Sequence, residues 1–176
     1  MARLTKARRI GALLLALGAG ATLAGCAGQP GAAAVVDGDA IPASDVREVM
    51  TELGAYFQGA TVPNVITVLA QEPTVVDVAA EHGVGVSDED AAKLLDQAVT
   101  ASGTKDVPTF SDASMAIARY SVALTNIQGL ADDAVTSELS DRLANLHVEV
   151  NPRYGSNGEG SNVAAPEPFP WIVASK

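Results

Sequence analysis

Two short runs with strand character stand at opposite ends of a block whose apolar residues recur at helical spacing, and this arrangement constrains the fold more than any other feature. In "AVVDGDAI", Val35 and Val36 precede Asp37-Gly38, a dipeptide suited to a tight turn, and Ala40-Ile41 follow it. In "HVEVNP" the residues alternate, with Val148 and Val150 on one face and His147, Glu149 and Asn151 on the other, before Pro152 closes the run. A lone short strand leaves its backbone N–H and C=O groups without partners. The segment at Val35 and Val36 is therefore expected to pair with the one at Val148 and Val150.

Between these runs the pattern predicts about five helices. Pro42 and Ser44 open the first, in which Val46, Val49, Met50, Leu53 and Phe57 share a face and Asp45 and Glu48 sit near the positive end of the helix dipole. A second helical stretch covers 64–82, with Ile66, Leu69, Val76 and Ala80 on one stripe. Pro73 interrupts it, since proline lacks an N–H and clashes with the preceding turn, so a kink or two shorter helices is expected. Gly83 and Gly85 act as stops. Ser87 then caps a third helix with Asp90 in the capping-box position and Ala91, Leu94, Leu95, Ala98 and Val99 inside. Ser111 caps a fourth, Phe110 is placed to staple against Met115, and Ile117, Tyr120, Leu124 and Ile127 line one side. A fifth carries Val135, Leu139, Leu143 and Leu146.

The first 25 residues do not belong to this body. Arg3, Lys6, Arg8 and Arg9 precede "IGALLLALGAGATLA", an uncharged run of about 15 residues, short of the roughly 20 that span a bilayer as a helix and ending in small residues as a cleavage site does. The segment Leu23-Ala24-Gly25-Cys26 resembles the lipobox of bacterial lipoproteins. That resemblance implies that residues 1–25 are a leader and that Cys26, the only cysteine, becomes a lipidated N-terminus. The protein would then be anchored to the cell membrane on its extracytoplasmic face. With its one thiol consumed, the mature chain has no disulfide and relies on its core. Residues 26–34, "CAGQPGAAA", lack charge and large side chains and read as a tether.

Removing the leader takes away four of the 11 basic residues and none of the 21 acidic ones, so the body is more acidic than the −10 of the whole chain. Such a body repels nucleic acid and anionic head groups, leaving the lipid as the membrane link. Three Phe, three Tyr and one Trp leave the core to Val, Leu, Ile and Ala, which favours packed helices. Residues 155–176 read as a flexible tail rich in Pro and Gly, mobile in its first half. Its second half, "PEPFPWIV", places Phe169 and Trp171 in an extended apolar stretch that either covers the protein's own surface or docks on another protein.

The order of parts resembles the N-terminal chaperone domain of the periplasmic chaperone SurA and related extracytoplasmic foldases of the trigger factor and PrsA types. Val36, Gly38 and Ile41 match the opening strand and turn of that family. Val84, Val86, Ser87, Asp88 and Glu89 match its junction between helices, and "VEVNPRYG" at 148–155 its closing segment. The likeness covers roughly 32–155 and implies a mainly α domain at 35–154 with two short terminal strands paired. Such foldases often carry a parvulin-type prolyl isomerase before the final strand, for which this chain has no room, so the resemblance implies a non-catalytic binder of unfolded or partly folded exported proteins. The alternative is a scaffolding lipoprotein that binds one folded envelope partner.

No catalytic motif competes with this reading. His82 and His147 are far apart, with neither HxxxH spacing nor a nearby cysteine, and read as structural rather than as metal ligands; no cofactor is implied. The acidic groups at 88–90 and 132–133 are explained by helix first turns. GxSxG, P-loop and GxGxxG patterns do not occur. Candidate contacts for a client or partner are Met50, Tyr56, Phe57, Tyr120, Phe169 and Trp171, the first four of which at helical spacing also suit a core.

Overall fold

A computed structural model of the protein describes residues 29–57, 60–104 and 108–167. In chain order it contains β1 (Ala32–Val36), β2 (Asp39–Pro42), α1 (Ala43–Leu53), α2 (Val62–Glu81), α3 (Asp88–Ala101), α4 (Asp112–Gly129), α5 (Asp133–Ala144), β3 (Val148–Val150), β4 (Ser156–Asn157) and β5 (Val163–Ala164). The fold is mainly α, five helices with a small antiparallel sheet, as the periodicity predicted.

The terminal strands do meet. The sheet has the order β2-β1-β3, with Val35 opposite Glu149 and Val36 opposite Val148. Asp37 and Gly38 make the β1–β2 turn at φ 50° and 99°, the paired positive values that a two-residue turn of the I′ kind requires and that few dipeptides tolerate. The Asp37 N–H donates to the His147 carbonyl at 2.9 Å, and the His147 N–H donates back to Asp37 Oδ1 at 3.1 Å. One residue thus builds the turn and fastens the sheet across the chain.

The strand begins earlier than composition suggested. Ala32, Ala33 and Ala34, read as part of a tether, are buried in β1, Ala33 at 0% exposure. As the central strand, flanked on both edges and covered by α1 and α2, β1 has room there for methyl groups only, and small residues in a packed strand are indistinguishable by composition from a linker. The residues read as a mobile tail are likewise corrected. Ser156 pairs with Ala164 and Asn157 with Val163, while Gly155, Ser161 and Val163 are buried. The folded body thus reaches at least from Ala32 to Ala164, beyond the expected limits of 35 and 154.

The caps of α3 and α4 are those the sequence indicated, while α2 starts at Val62 under an unforeseen Thr61 cap and Asp132, read as a first-turn residue, caps α5. Ser87 and Asp90 form a reciprocal capping box at α3, Ser111 accepts from the Ser114 N–H at α4, and Asp132 from the Ala134 N–H at α5. At α1 neither Pro42 nor Ser44 caps through its side chain. Instead the Ala43 N–H reaches the Gly31 carbonyl at 2.8 Å, so the start of β1 supplies the acceptor. α2 ends in a left-handed Gly83, φ 77°, with Gly83 and Val84 N–H groups returning to the Ala80 and Ala79 carbonyls.

α2 runs unbroken through Pro73 rather than dividing there. Its buried residues are Val65, Ile66, Ala70, Gln71, Val75, Val78 and Ala79; of the positions expected beyond Pro73, Val76 is half-buried against the second apolar cluster and Ala80 is exposed. α2 and α4 pack side by side through two apolar clusters. The first joins the sheet, α1 and the N-terminal halves of α2, α3 and α4, with Phe110 and Met115 both packed against it. The second joins the C-terminal halves of α2 and α4 to Val135 and Leu139 of α5.

Candidate functional site

The four sequence-derived contact residues that are described do not gather at one place. Met50 on α1 and Phe57 just beyond it are half-buried against the first cluster; Tyr120 on α4 packs against the second. Tyr56 is half-buried in the turn after α1. Cys26, Phe169 and Trp171 lie outside the described residues. Among those described, Leu130 is the single large apolar side chain exposed, at 36%. The described surface therefore shows no open apolar cradle.

What the fold does assemble is a polar seam between the two clusters. Gln71 projects from the middle of the apolar face of α2, where its Nε2 donates to Ser161 Oγ at 3.0 Å and its Oε1 accepts from the Tyr120 hydroxyl at 3.1 Å. Burial raises the Tyr120 pKa above its ordinary 10.0, so the phenol stays protonated and remains a donor. One turn earlier, Thr67 Oγ1 accepts from the Val163 N–H at 2.9 Å. The hairpin of β4 and β5 is thereby bound to α2 by polar groups at a place where the neighbouring layers are apolar. A glutamine inside an otherwise apolar stripe was the available signal; its partner Ser161 lay in a segment without periodicity.

A second polar junction holds the start of α4. Glu52 Oε2 on α1 accepts from the Ser111 N–H at 2.9 Å, from Ser111 Oγ at 2.9 Å and from the buried Ser114 Oγ at 2.6 Å. Burial pushes this carboxyl up, but the hydrogen bonds of Ser114 and Ser111 outweigh it and hold the pKa below the ordinary 4.5. Beside it on α4, Arg119 Nε donates to Glu72 at 2.8 Å and Nη1 to Asp88 at 3.0 Å, joining α2, α3 and α4.

An open cleft of about 770 Å³ lies between α2, α5 and the β1–β2 turn, lined by Asp37, Thr74, Asp77, Glu138, Asp141 and Arg142 among others. At its rim Arg142 pairs with Glu81 and Glu138, and His82 Nε2 lies 3.0 Å from Glu138 Oε2. The hydrogen bond of His82, then that of Arg142, holds Glu138 below the ordinary carboxylate range. These contacts fasten the end of α2 to α5. They place no nucleophile beside a base, and no three His, Cys, Asp or Glu groups among the described residues could hold a metal ion. His147, whose Nε2 lies 3.2 Å from Glu149, stands apart on the exposed face of β3. No helix among the described residues is long and apolar enough to cross a membrane. No protein-family model, curated protein or solved structure matches this chain.

Proposed function

We propose that the protein is a lipid-anchored extracytoplasmic binder of unfolded or partly folded exported polypeptides, without catalytic activity of its own. The observation that carries the reading is the closure of a capped five-helix block by pairing of β1 with β3, with Val35 opposite Glu149, which is the arrangement that the resemblance to the SurA-type chaperone domain implies. The membrane link rests on the lipobox-like Leu23-Ala24-Gly25-Cys26. A binder of this kind holds extended segments weakly and gains avidity from many copies on one membrane surface.

The closed surface, with Leu130 alone exposed among large apolar residues of the described chain, favours a second reading, a scaffold that binds one folded envelope protein. Backbone amide NMR of residues 27–176 titrated with several unrelated unfolded polypeptides separates the two. Shared shifts on one face, at micromolar or weaker affinity, are the expected result. Absence of shifts with every polypeptide sinks the chaperone reading and leaves the scaffold.

A further inference from the structure

A client binder with a closed surface needs a site that opens, and the fold contains one place where an extended segment already sits on the body as a ligand would. In β3 the backbone groups of His147 and Asn151 face β1: the Asp37 N–H reaches the His147 carbonyl at 2.9 Å and the Asn151 N–H the Ala33 carbonyl at 3.0 Å. By alternation, the N–H and C=O groups of Val148 and Val150 point to the opposite edge of the strand. Among the described residues no strand is paired there, β3 being an end of the order β2-β1-β3. The Val150 N–H is met by a side chain instead, Asn157 Oδ1 at 3.3 Å.

The β4–β5 hairpin that carries Asn157 is bonded mainly to itself. The Gly158 N–H donates to the Asn162 carbonyl at 2.9 Å, the Asn162 N–H to that of Glu159 at 3.2 Å, and Ser156 Oγ to that of Ala165 at 2.9 Å. Its hold on the body consists of Val163, which enters the first apolar cluster, the Val163 N–H on Thr67, the Ser161 hydroxyl on Gln71, and Asn157 on Val150. The surface of α2 beneath it offers Thr67 and Gln71, polar groups that water or a peptide backbone can satisfy once the hairpin leaves. The helical body therefore need not melt when the hairpin lifts.

We propose that the β4–β5 hairpin is a displaceable occupant of a peptide-binding site, in which an extended apolar segment of an unfolded polypeptide adds to the outer edge of β3 and fills the notch of Val163. The proposal rests on the chaperone reading and specifies its site. An edge strand gives main-chain hydrogen bonds without regard to sequence, and the notch selects a small or β-branched apolar side chain of the size of valine. The exposed Glu149 and the acidic body disfavour acidic segments and suit neutral or basic ones.

The test uses the full chain in detergent micelles and the double variant Asn157→Ala/Ser161→Ala, which loosens the hairpin without entering either apolar cluster. The probe is reduced, carboxamidomethylated ribonuclease A, a permanently unfolded basic chain, followed by fluorescence anisotropy and by hydrogen exchange of the protein's amides. Because apparent affinity scales with the fraction of open molecules, the variant should bind about tenfold more tightly. Binding should also deprotect Val163, whose N–H loses Thr67 Oγ1, and leave α2 and α4 protected. Equal affinity of both proteins with unchanged hairpin protection overturns the displaceable hairpin and leaves the chaperone reading in place. Binding by neither protein overturns that reading itself. Concentration-dependent pairing of the variant with itself, with no uptake of the probe, assigns the β3 edge to a second copy and overturns the proposal. If the double variant does not melt cooperatively, Asn157→Ala alone, on an exposed residue, carries the same comparison.

Discussion

At the scale of single residues, stability is concentrated where the chain has no freedom to substitute. Gly155 is buried, and a Cβ there would stand 2.6 Å from Val163 Cγ1 and 2.8 Å from the Ala164 carbonyl oxygen, so β5 can reach its place only past a bare α-carbon. Gly155→Ala should cost about 1–3 kcal/mol, the usual range for forcing a methyl group into a filled site, read as a lower midpoint in denaturant; a midpoint equal to wild type would mean that the hairpin contributes no stability. Glu52 makes a different case. Its pKa in the folded protein is depressed below 4.5, so its contribution is present above that value and is lost as pH falls through the folded value. Glu52→Gln should cost about 2 kcal/mol at neutral pH, as expected for hydrogen bonds to a charged acceptor, and the gap to wild type should narrow below pH 4.5. Parallel stability curves from pH 7 to pH 3 would exclude it. Neither residue announces itself in the sequence. Gly155 lies among other glycines of an aperiodic stretch, and Glu52 occupies a helix position whose partners are about 60 residues away.

Elements were far more legible than residues, because their signals are local. Capping chemistry at Ser87 and Ser111, the turn at Asp37-Gly38 and the alternation at 147–151 each follow from a few adjacent residues, and the pairing of β1 with β3 follows from the need to satisfy two lone strands. Burial was legible only where side chains are large. Ala32–Ala34 passed for tether since methyl groups carry almost no hydrophobic signal, although Ala33 is fully enclosed. Ala33→Asp should therefore abolish cooperative unfolding, because an unpaired carboxylate in the central strand costs several kcal/mol; a true tether position would accept aspartate with no change in melting. In α2 the exposed Pro73 breaks the hydrogen-bond ladder yet not the helix, since packing of Ile66 and Ala70 before it and Val75 and Val78 after it holds both halves in line. Pro73→Ala restores an N–H donor on the solvent side and should raise stability by up to about 3 kcal/mol in thermal or denaturant melts. A loss of stability would show that α2 depends on a bend at Pro73.

At the scale of the whole molecule, the fold and the proposed lipid anchor fall on different parts of the chain. The described body closes through its own strands, caps and two apolar clusters, with the carbonyls of Gly31 and Gln29, just ahead of β1, accepting from the Ala43 and Ala32 N–H groups. Its net charge opposes adsorption to anionic lipid, as 21 acidic residues outnumber the 11 basic ones, four of which, Arg3, Lys6, Arg8 and Arg9, lie in the proposed leader. The proposed residence at a membrane therefore rests on acyl chains, of which a single one of myristoyl type holds only marginally, whereas a diacylglyceryl group supplies two. Cys26→Ala removes the only side chain able to carry that thioether. The variant should appear in the soluble fraction after a high-salt wash of cells, with the melting temperature of its body unchanged, while the unaltered protein stays with the membranes and leaves them in detergent. Retention of the variant would mean that an uncleaved leader or a membrane-bound partner holds the protein, and the lipid would no longer be needed to explain its place. Release with a lowered melting temperature would instead tie the anchor to the fold, contrary to a body whose described contacts begin at Gln29.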